Sequence, residues 1–239
     1  MDFVSDLHLD ATRPRTFQAW IDYLAATPAQ ALFILGDLFE AWVGDDCASQ
    51  PGFEANAIRA LREASRQRWI GFMPGNRDFL LGSELLGACG VALLDDPTVL
   101  QAHGRRVLLS HGDQLCLADV EYLHFRAQVR QPAWQADFLT RSLRERLDLA
   151  RAMRHASRQH QSDPVVWADV DPAAALAWMR ETQCSDLVHG HTHRPGRHEL
   201  APGLQRLVLS DWEVDGPGDA RAQALRLSRT GFEPMNLGV

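Results

Sequence analysis

An α/β fold is predicted for this chain on three observations. Short, wholly apolar runs such as Leu32-Phe33-Ile34-Leu35 have the length and composition of strands buried on both faces. Other segments carry apolar residues at helical spacing, as where Phe17, Trp20, Ile21 and Leu24 fall at i, i+3, i+4 and i+7. The two kinds of segment alternate through most of the chain, the order expected when covering helices join the strands of a largely parallel sheet. With 239 residues and 46% apolar content, one substantial core can be buried, so a single domain over residues 1–239 with one insertion is expected.

Phe3-Val4 begins the first strand and runs into Ser5-Asp6-Leu7-His8-Leu9, where Asp6 and His8 alternate with apolar residues and should share a face. The helix holding Phe17 and Trp20 turns its aromatic side toward the core. The second strand ends in Gly36-Asp37 and so delivers a carboxylate to the end of a buried run, although Gly-Asp alone is ordinary turn chemistry. Gly44-Asp45-Asp46 reads as a solvated acidic loop, and the helix with Ile58 and Leu61 inward as one with a solvated arginine face. Trp69 to Met73 is the third strand, ended by Pro74-Gly75 and followed by Asn76-Arg77-Asp78. Val107-Leu108-Leu109 leads into Ser110-His111, and Leu187-Val188 into His189-Gly190-His191-Thr192-His193. Asp171-Pro172 supplies an N-cap and first-turn pair for a helix through Met179.

Residues 119–162 break the alternation, with a helical pattern interrupted by Pro132 and no convincing strand. This segment is predicted to be an inserted helical cap. From Arg126 to Asp163 it carries eight arginines against four acids, which read either as a surface for an anionic, partly apolar substrate or as solvated helix faces.

Composition narrows the function. A formal net charge of -7 gives no general attraction to nucleic acid, and no nucleic-acid partner is expected. All 24 basic residues are arginine, a compositional bias that singles out none of them. The four cysteines form no C-x-x-C pair and read as small buried residues of a reducing compartment, not as a disulfide framework or thiolate metal site. No signal-peptide pattern and no run of 18 apolar residues is present, so a cytoplasmic protein is expected. The basic cap would give it weak peripheral contact with the cytoplasmic face of the inner membrane, and no protein partner is foreseen.

Five strand ends carry Asp6 and His8, then Asp37, Asn76, His111, and finally His191 and His193. A single His or Asp at a strand end is usually structural. Seven oxygen and nitrogen donors at the ends where α/β sheets place their sites point to metal. Without thiolates the set suits manganese, iron or zinc better than calcium, and two divalent metal ions, Mn2+ foremost, are expected because seven side chains exceed what one ion needs. Two ions about 3.5–4 Å apart, sharing Asp37, would clamp a phosphoryl group in line with an attacking water. Arg77, beside a donor, can add a bidentate contact to the phosphate oxygens.

Asp6-x-His8, Gly36-Asp37, Gly75-Asn76, His111 and Gly190-His191-x-His193 together resemble the calcineurin-like metallophosphoesterases. The resemblance implies an αββα sandwich, two sheets flanked by helices. It gives Asp6, His8, Asp37 and His193 to one ion and Asp37, Asn76, His111 and His191 to the other. Gly36 to Asp46, Gly75 to Gly82 and His189 to Pro195 are similar to one branch of that family, with similarity running from Phe3 to Trp212. For that branch the implied substrate is a lipid-linked nucleotide sugar, cleaved at its pyrophosphate bond by water attack on the α-phosphorus, with Asp37 and Arg77 catalytic. Substrate contacts are implied for Asn76, Arg77, Asp119, Ser157 and His191, with the cap holding the acyl chains. Where the branch has Asn and then Lys after the position of Ser157, this chain reads Arg158-Gln159-His160-Gln161, and Gln161 is expected to substitute. Two alternatives stand beside this reading. One is a dimetal phosphodiesterase or pyrophosphatase for a soluble nucleotide derivative, distinguished only by the cap; the other is a binding scaffold without turnover, whose mark would be a missing donor.

Overall fold

The structure, a computed structural model, describes residues 1–161 and 169–238, with the backbone alone described at 155–161. The apolar runs become the centre of a sheet: β1 (Asp2–Val4), β2 (Ala31–Leu35), β3 (Trp69–Met73) and β4 (Val91–Leu93) are parallel neighbours in that order. Beyond β1 the sheet is completed by the antiparallel strands β10 (Gln223–Ser228) and β11 (Gly231–Asn236). A second sheet runs in the order β5 (Thr98–Ala102), β6 (Arg105–Ser110), β7 (Asp186–His189), β9 (Leu204–Val208) and β8 (Gly196–Ala201). Its inner three strands β6, β7 and β9 are parallel.

Alternation along these strands builds the layers. Phe3, Phe33, Val107, Leu109, Val188 and Leu207 meet between the two sheets, where Phe3 stacks on Phe33 at 5.1 Å between ring centroids. The opposite residues of the first sheet, Val4, Leu32 and Ile34, meet Trp20, Tyr23 and Leu24 of α1 (Pro14–Ala26) and Ile58 and Leu61 of α2 (Phe53–Ser65). On the outer face of the second sheet, Leu108 and Leu187 meet Ala175 and Met179 of α7 (Pro172–Glu181). The order helix, sheet, sheet, helix is the αββα sandwich that was expected. Burying each such side chain contributes roughly 1.5–3 kcal/mol, so the two sheets fix the strand ends firmly.

The short α3 (Ser83–Ala88) precedes β4, and three helices follow β6: α4 (Val120–Val129), α5 (Pro132–Leu139) and α6 (Leu143–Gln161). Pro132 opens α5, where its missing N–H costs nothing. Asp119 caps α4, accepting from Tyr122 N at 3.0 Å, and Asp171 caps α7 through Ala174 N at 2.8 Å. Part of the arginine excess in this segment turns inward. Arg130 Nη2 donates to Gly75 O (2.7 Å), Arg126 Nε to Asp113 (2.7 Å), Arg154 Nη1 to Glu40 O (3.3 Å), and Arg146, only 3% exposed, to Val43 O. Arg141, Arg144 and Arg151 remain exposed. The apolar residues divide likewise: Phe138 is in the core with Trp134, Leu143 and Leu147 against it, whereas Leu139 (44%) and Met153 (37%) are exposed. No helix among the described residues is long and apolar enough to cross a membrane.

Two local expectations need correction. Asp6 and His8 do not share a strand face, because β1 ends at Val4 and both residues lie beyond it in left-handed backbone, φ 57° and 48°. The acidic loop is not merely solvated: Asp45 Oδ1 accepts from Trp42 Nε1 and Gly82 N at 3.0 Å each, and Asp46 is paired with Arg146.

Candidate metal centre

The first-sheet loops after β1, β2 and β3 and the second-sheet loops after β6 and β7 converge at one end of the sandwich. Their approach is so close that side chains are excluded at the junctions. A Cβ on Gly75 would collide with the carboxylate and main chain of Asp37, and one on Gly190 with Ser5 and the carboxylate of Asp6. The candidate donors are also held in unusual backbone. Asp6, His8, Asp37, His191 and His193 all have φ between 48° and 66°, and His103 and Gln183 are the other non-glycine residues described with positive φ. Asp and His tolerate this region better than most residues, and its concentration here marks a site imposed by the surrounding sheets.

Asp6 Oδ2 is fully engaged, accepting from Ser5 Oγ (2.6 Å) and His191 N (2.8 Å). Its Oδ1 is buried without a hydrogen-bond partner and lies 3.3 Å from His193 Nε2 and 3.9 Å from His8 Nε2, which are themselves 3.2 Å apart. His111 donates from Nδ1 to Leu35 O (2.9 Å), which fixes its tautomer and turns Nε2 to Asn76 Oδ1 (3.0 Å) and to Asp37 Oδ1 (3.8 Å). Asn76 Oδ1 also lies 3.0 Å from His191 Nδ1. All seven residues singled out at strand ends are therefore within one connected cluster.

The charges in it conflict. Burial, with Asp78 and Asp6 adding to it, pushes the Asp37 carboxyl up to about 7 even though His111 opposes the rise. Burial would lower His111, but Asp37, Asp113 and Asp6 overcome it and push that ring up to about 9. Burial and the neighbouring His111 bring His191 down to about 3, and burial with Arg77 keeps His8 well below the ordinary histidine value. Buried carboxylates that repel one another, beside the His8 and His191 rings held neutral, form a cavity suited to cations.

The sequence model of the calcineurin-like phosphoesterases matches residues 2–195, from β1 to just past the last candidate donor. The chain belongs to the calcineurin-like phosphoesterases. Among its relatives, a UDP-2,3-diacylglucosamine hydrolase of Bordetella pertussis is 42% identical over 98% of this chain and 93% of its own length. Proteins of that name from Chromohalobacter salexigens and Chromobacterium violaceum are 44% and 41% identical, covering 92% and 99% of this phosphoesterase and 92% and 98% of themselves. The fold is shared with a solved archaeal phosphodiesterase at a TM-score of 0.52 and 12% identity, over 99% of this chain and 98% of that one.

The donor set of this phosphoesterase fits two divalent ions. Asp6, His8 and His193 form one group of atoms within 4.8 Å of one another, and Asp6, Asp37 and His111 form a second. The carboxylate common to these two groups is that of Asp6, whereas the family resemblance makes Asp37 the shared one. Arg77 sits at the edge, its Nη1 2.9 Å from Glu40 Oε2, its Nε 3.5 Å from Asp37 Oδ2 and its side chain 20% exposed. The Tyr122 ring stacks on His191 at 5.9 Å. Asp119 stands at the head of the same helix as Tyr122, and the side chains of Ser157 and Gln161 lie outside the described residues.

Several residues that shape the site were given no role in the sequence reading. Asp78 accepts four main-chain N–H groups, from Asp37 (3.3 Å), Leu38 (2.7 Å), Phe39 (3.3 Å) and Gly75 (2.9 Å), and so joins the loop after β2 to the loop after β3. Asp113 receives Tyr122 Oη (2.5 Å) and Arg126 Nε, joining α4 to the loop after β6. Position was the available signal, since each is within three residues of a donor.

Proposed function

We propose that this phosphoesterase hydrolyses the pyrophosphate bond of UDP-2,3-diacylglucosamine, releasing UMP and 2,3-diacylglucosamine 1-phosphate in lipid A biosynthesis. Identity of 42% across nearly the full length of a hydrolase of that name carries the reading. The complete cluster of seven donors supports it, because every side chain that the chemistry needs is present.

Asp6, His8, Asp37 and His193 would hold one divalent ion and Asp37, Asn76, His111 and His191 the other, with Mn2+ the proposed metal. When bound, the ions acidify a water and neutralise charge on the phosphate oxygens. His111, anchored by its Nδ1 donation to Leu35 O, presents Nε2 to the proposed site. Arg77 projects from the loop after β3 to draw charge from the α-phosphate as it grows in the transition state. The leaving group is itself a phosphate, with a pKa of about 6, so the chain needs no strong general acid.

The helices α4 to α6 are proposed to form a cap inserted into a single domain of residues 1–239, with Asp119, Ser157, Gln161 and His191 as further substrate contacts. Leu117, Val120, Phe125, Leu139 and Met153 are exposed apolar residues on or next to these helices and offer a surface for acyl chains. With the exposed arginines they would also support weak contact with the cytoplasmic face of the inner membrane. Release of UMP from the diacylated substrate, compared with the same nucleotide sugar lacking acyl chains, tests the assignment. Equal turnover of the two would replace it with a soluble-nucleotide hydrolase.

A further inference from the structure

Glu40 lies three residues beyond Asp37, with its side chain only 12% exposed, and two guanidinium groups and an imidazole from three different segments approach its carboxylate. Arg77 Nη1 approaches Oε2 at 2.9 Å from the loop after β3. His8 Nδ1 stands 3.4 Å from the same oxygen. Arg154 Nη1 reaches Oε1 at 3.1 Å from α6 and also donates to the main-chain carbonyl of Glu40 at 3.3 Å. Among the described residues the other acid paired with Arg77 is Asp37, and that contact is longer, 3.5 Å from Nε. One buried carboxylate thus separates two guanidinium groups that would otherwise repel across the seam between α6 and the metal centre.

We propose that Glu40 is a positioning residue that aims Arg77 at the reacting phosphate and ties that aim to the seating of α6 through Arg154. A planar guanidinium fixed at Nη1 by Glu40, with Nε turned to Asp37, has its remaining nitrogen, Nη2, set in direction. Glu40 touches no reacting atom and acts through its neighbours. The inference rests on the reading of Arg77 as a phosphate contact, but not on the identity of the lipid substrate.

The test uses the full chain loaded with Mn2+ and the generic diester bis(4-nitrophenyl) phosphate, so that substrate assignment does not enter. Glu40→Gln keeps the shape and removes the charge. It is expected to lower kcat at least tenfold with KM and metal content near wild type, and to speed hydrogen exchange in α6. In an Arg77→Ala background the same change should cause no further loss, because its route to the chemistry is gone. A second tenfold loss there, or wild-type kcat in Glu40→Gln, overturns the proposal. Wild-type kcat in Arg77→Ala alone would instead overturn the reading of Arg77. Should Glu40→Gln fail to fold, Arg154→Gln carries the test: faster exchange in α6 with reduced kcat supports the link, and unchanged kcat overturns it.

Discussion

Asp78 has both carboxylate oxygens committed to main-chain N–H groups, two of them at Asp37 and Gly75. An asparagine there offers one acceptor where two are used and turns an NH2 toward other donors. Asp78→Asn is therefore expected to cost about 1–3 kcal/mol in urea denaturation, the usual penalty for buried groups left unpaired, and to reduce bound metal in elemental analysis. Arg77→Ala should behave differently, lowering kcat by roughly 100-fold with metal content unchanged, and Arg77→Lys should restore little because lysine lacks the planar fork. Wild-type kcat in the alanine variant would return Arg77 to the surface. The seven candidate donors were legible because each follows an apolar strand, a position with few structural uses for so many ligand types. Asp78 was not, since an acid after Asn-Arg looks like any turn acid until the loop it bonds, more than thirty residues away, is in view. The alternation that suggested a shared face for Asp6 and His8 led to the right pair for the wrong reason: they converge through left-handed backbone.

At the scale of elements, the exposed Leu139 and the core-facing Leu143 allow the proposed acyl contact to be told apart from packing. Leu139→Gln is expected to raise KM for the diacylated substrate and to leave both stability and hydrolysis of a small diester unchanged. Leu143→Gln should lower the melting temperature through lost packing and a newly buried amide. If the two variants have equal melting temperatures and equal KM, the exposed belt is not an acyl surface. The central strands and the first two helices were readable from period alone, because burial on one or both faces leaves a clear pattern. β8, β10 and β11 were not. They lie at or next to sheet edges, and sequences such as Gly196-Arg197-His198-Glu199 carry the polar residues that edges favour. The direction of the arginines was equally hidden, since whether Arg146 faces Asp46 or water depends on where α6 lies and not on its own spacing.

Across the whole molecule, the two chain ends are joined by Asp2, which accepts from Arg226 Nε and Nη2 (2.7 Å each), Thr27 Oγ1 (2.8 Å) and Tyr23 Oη (2.9 Å). Burial would raise its pKa, but these hydrogen bonds from Arg226, Thr27 and Tyr23 hold it below 3.8. A carboxyl lowered by folding adds stability in full above its unfolded value and loses it as the pH falls through the folded one. The difference in urea midpoint between wild type and Asp2→Asn should therefore be constant from about pH 7 to 5 and shrink below about pH 4; a gap that persists unchanged at pH 3 would contradict this. Chelation is expected to abolish turnover and lower the melting temperature, with both restored by adding divalent metal back, because an ion bound only by the folded chain stabilises it by mass action. The left-handed backbone of five donors gives the centre a further property. Each such residue costs about 1 kcal/mol or more, a cost borne by the packing of the two sheets around the centre. A donor set of oxygen and imidazole nitrogen accepts several divalent ions, so culture medium and purification buffer become determinants of the activity measured.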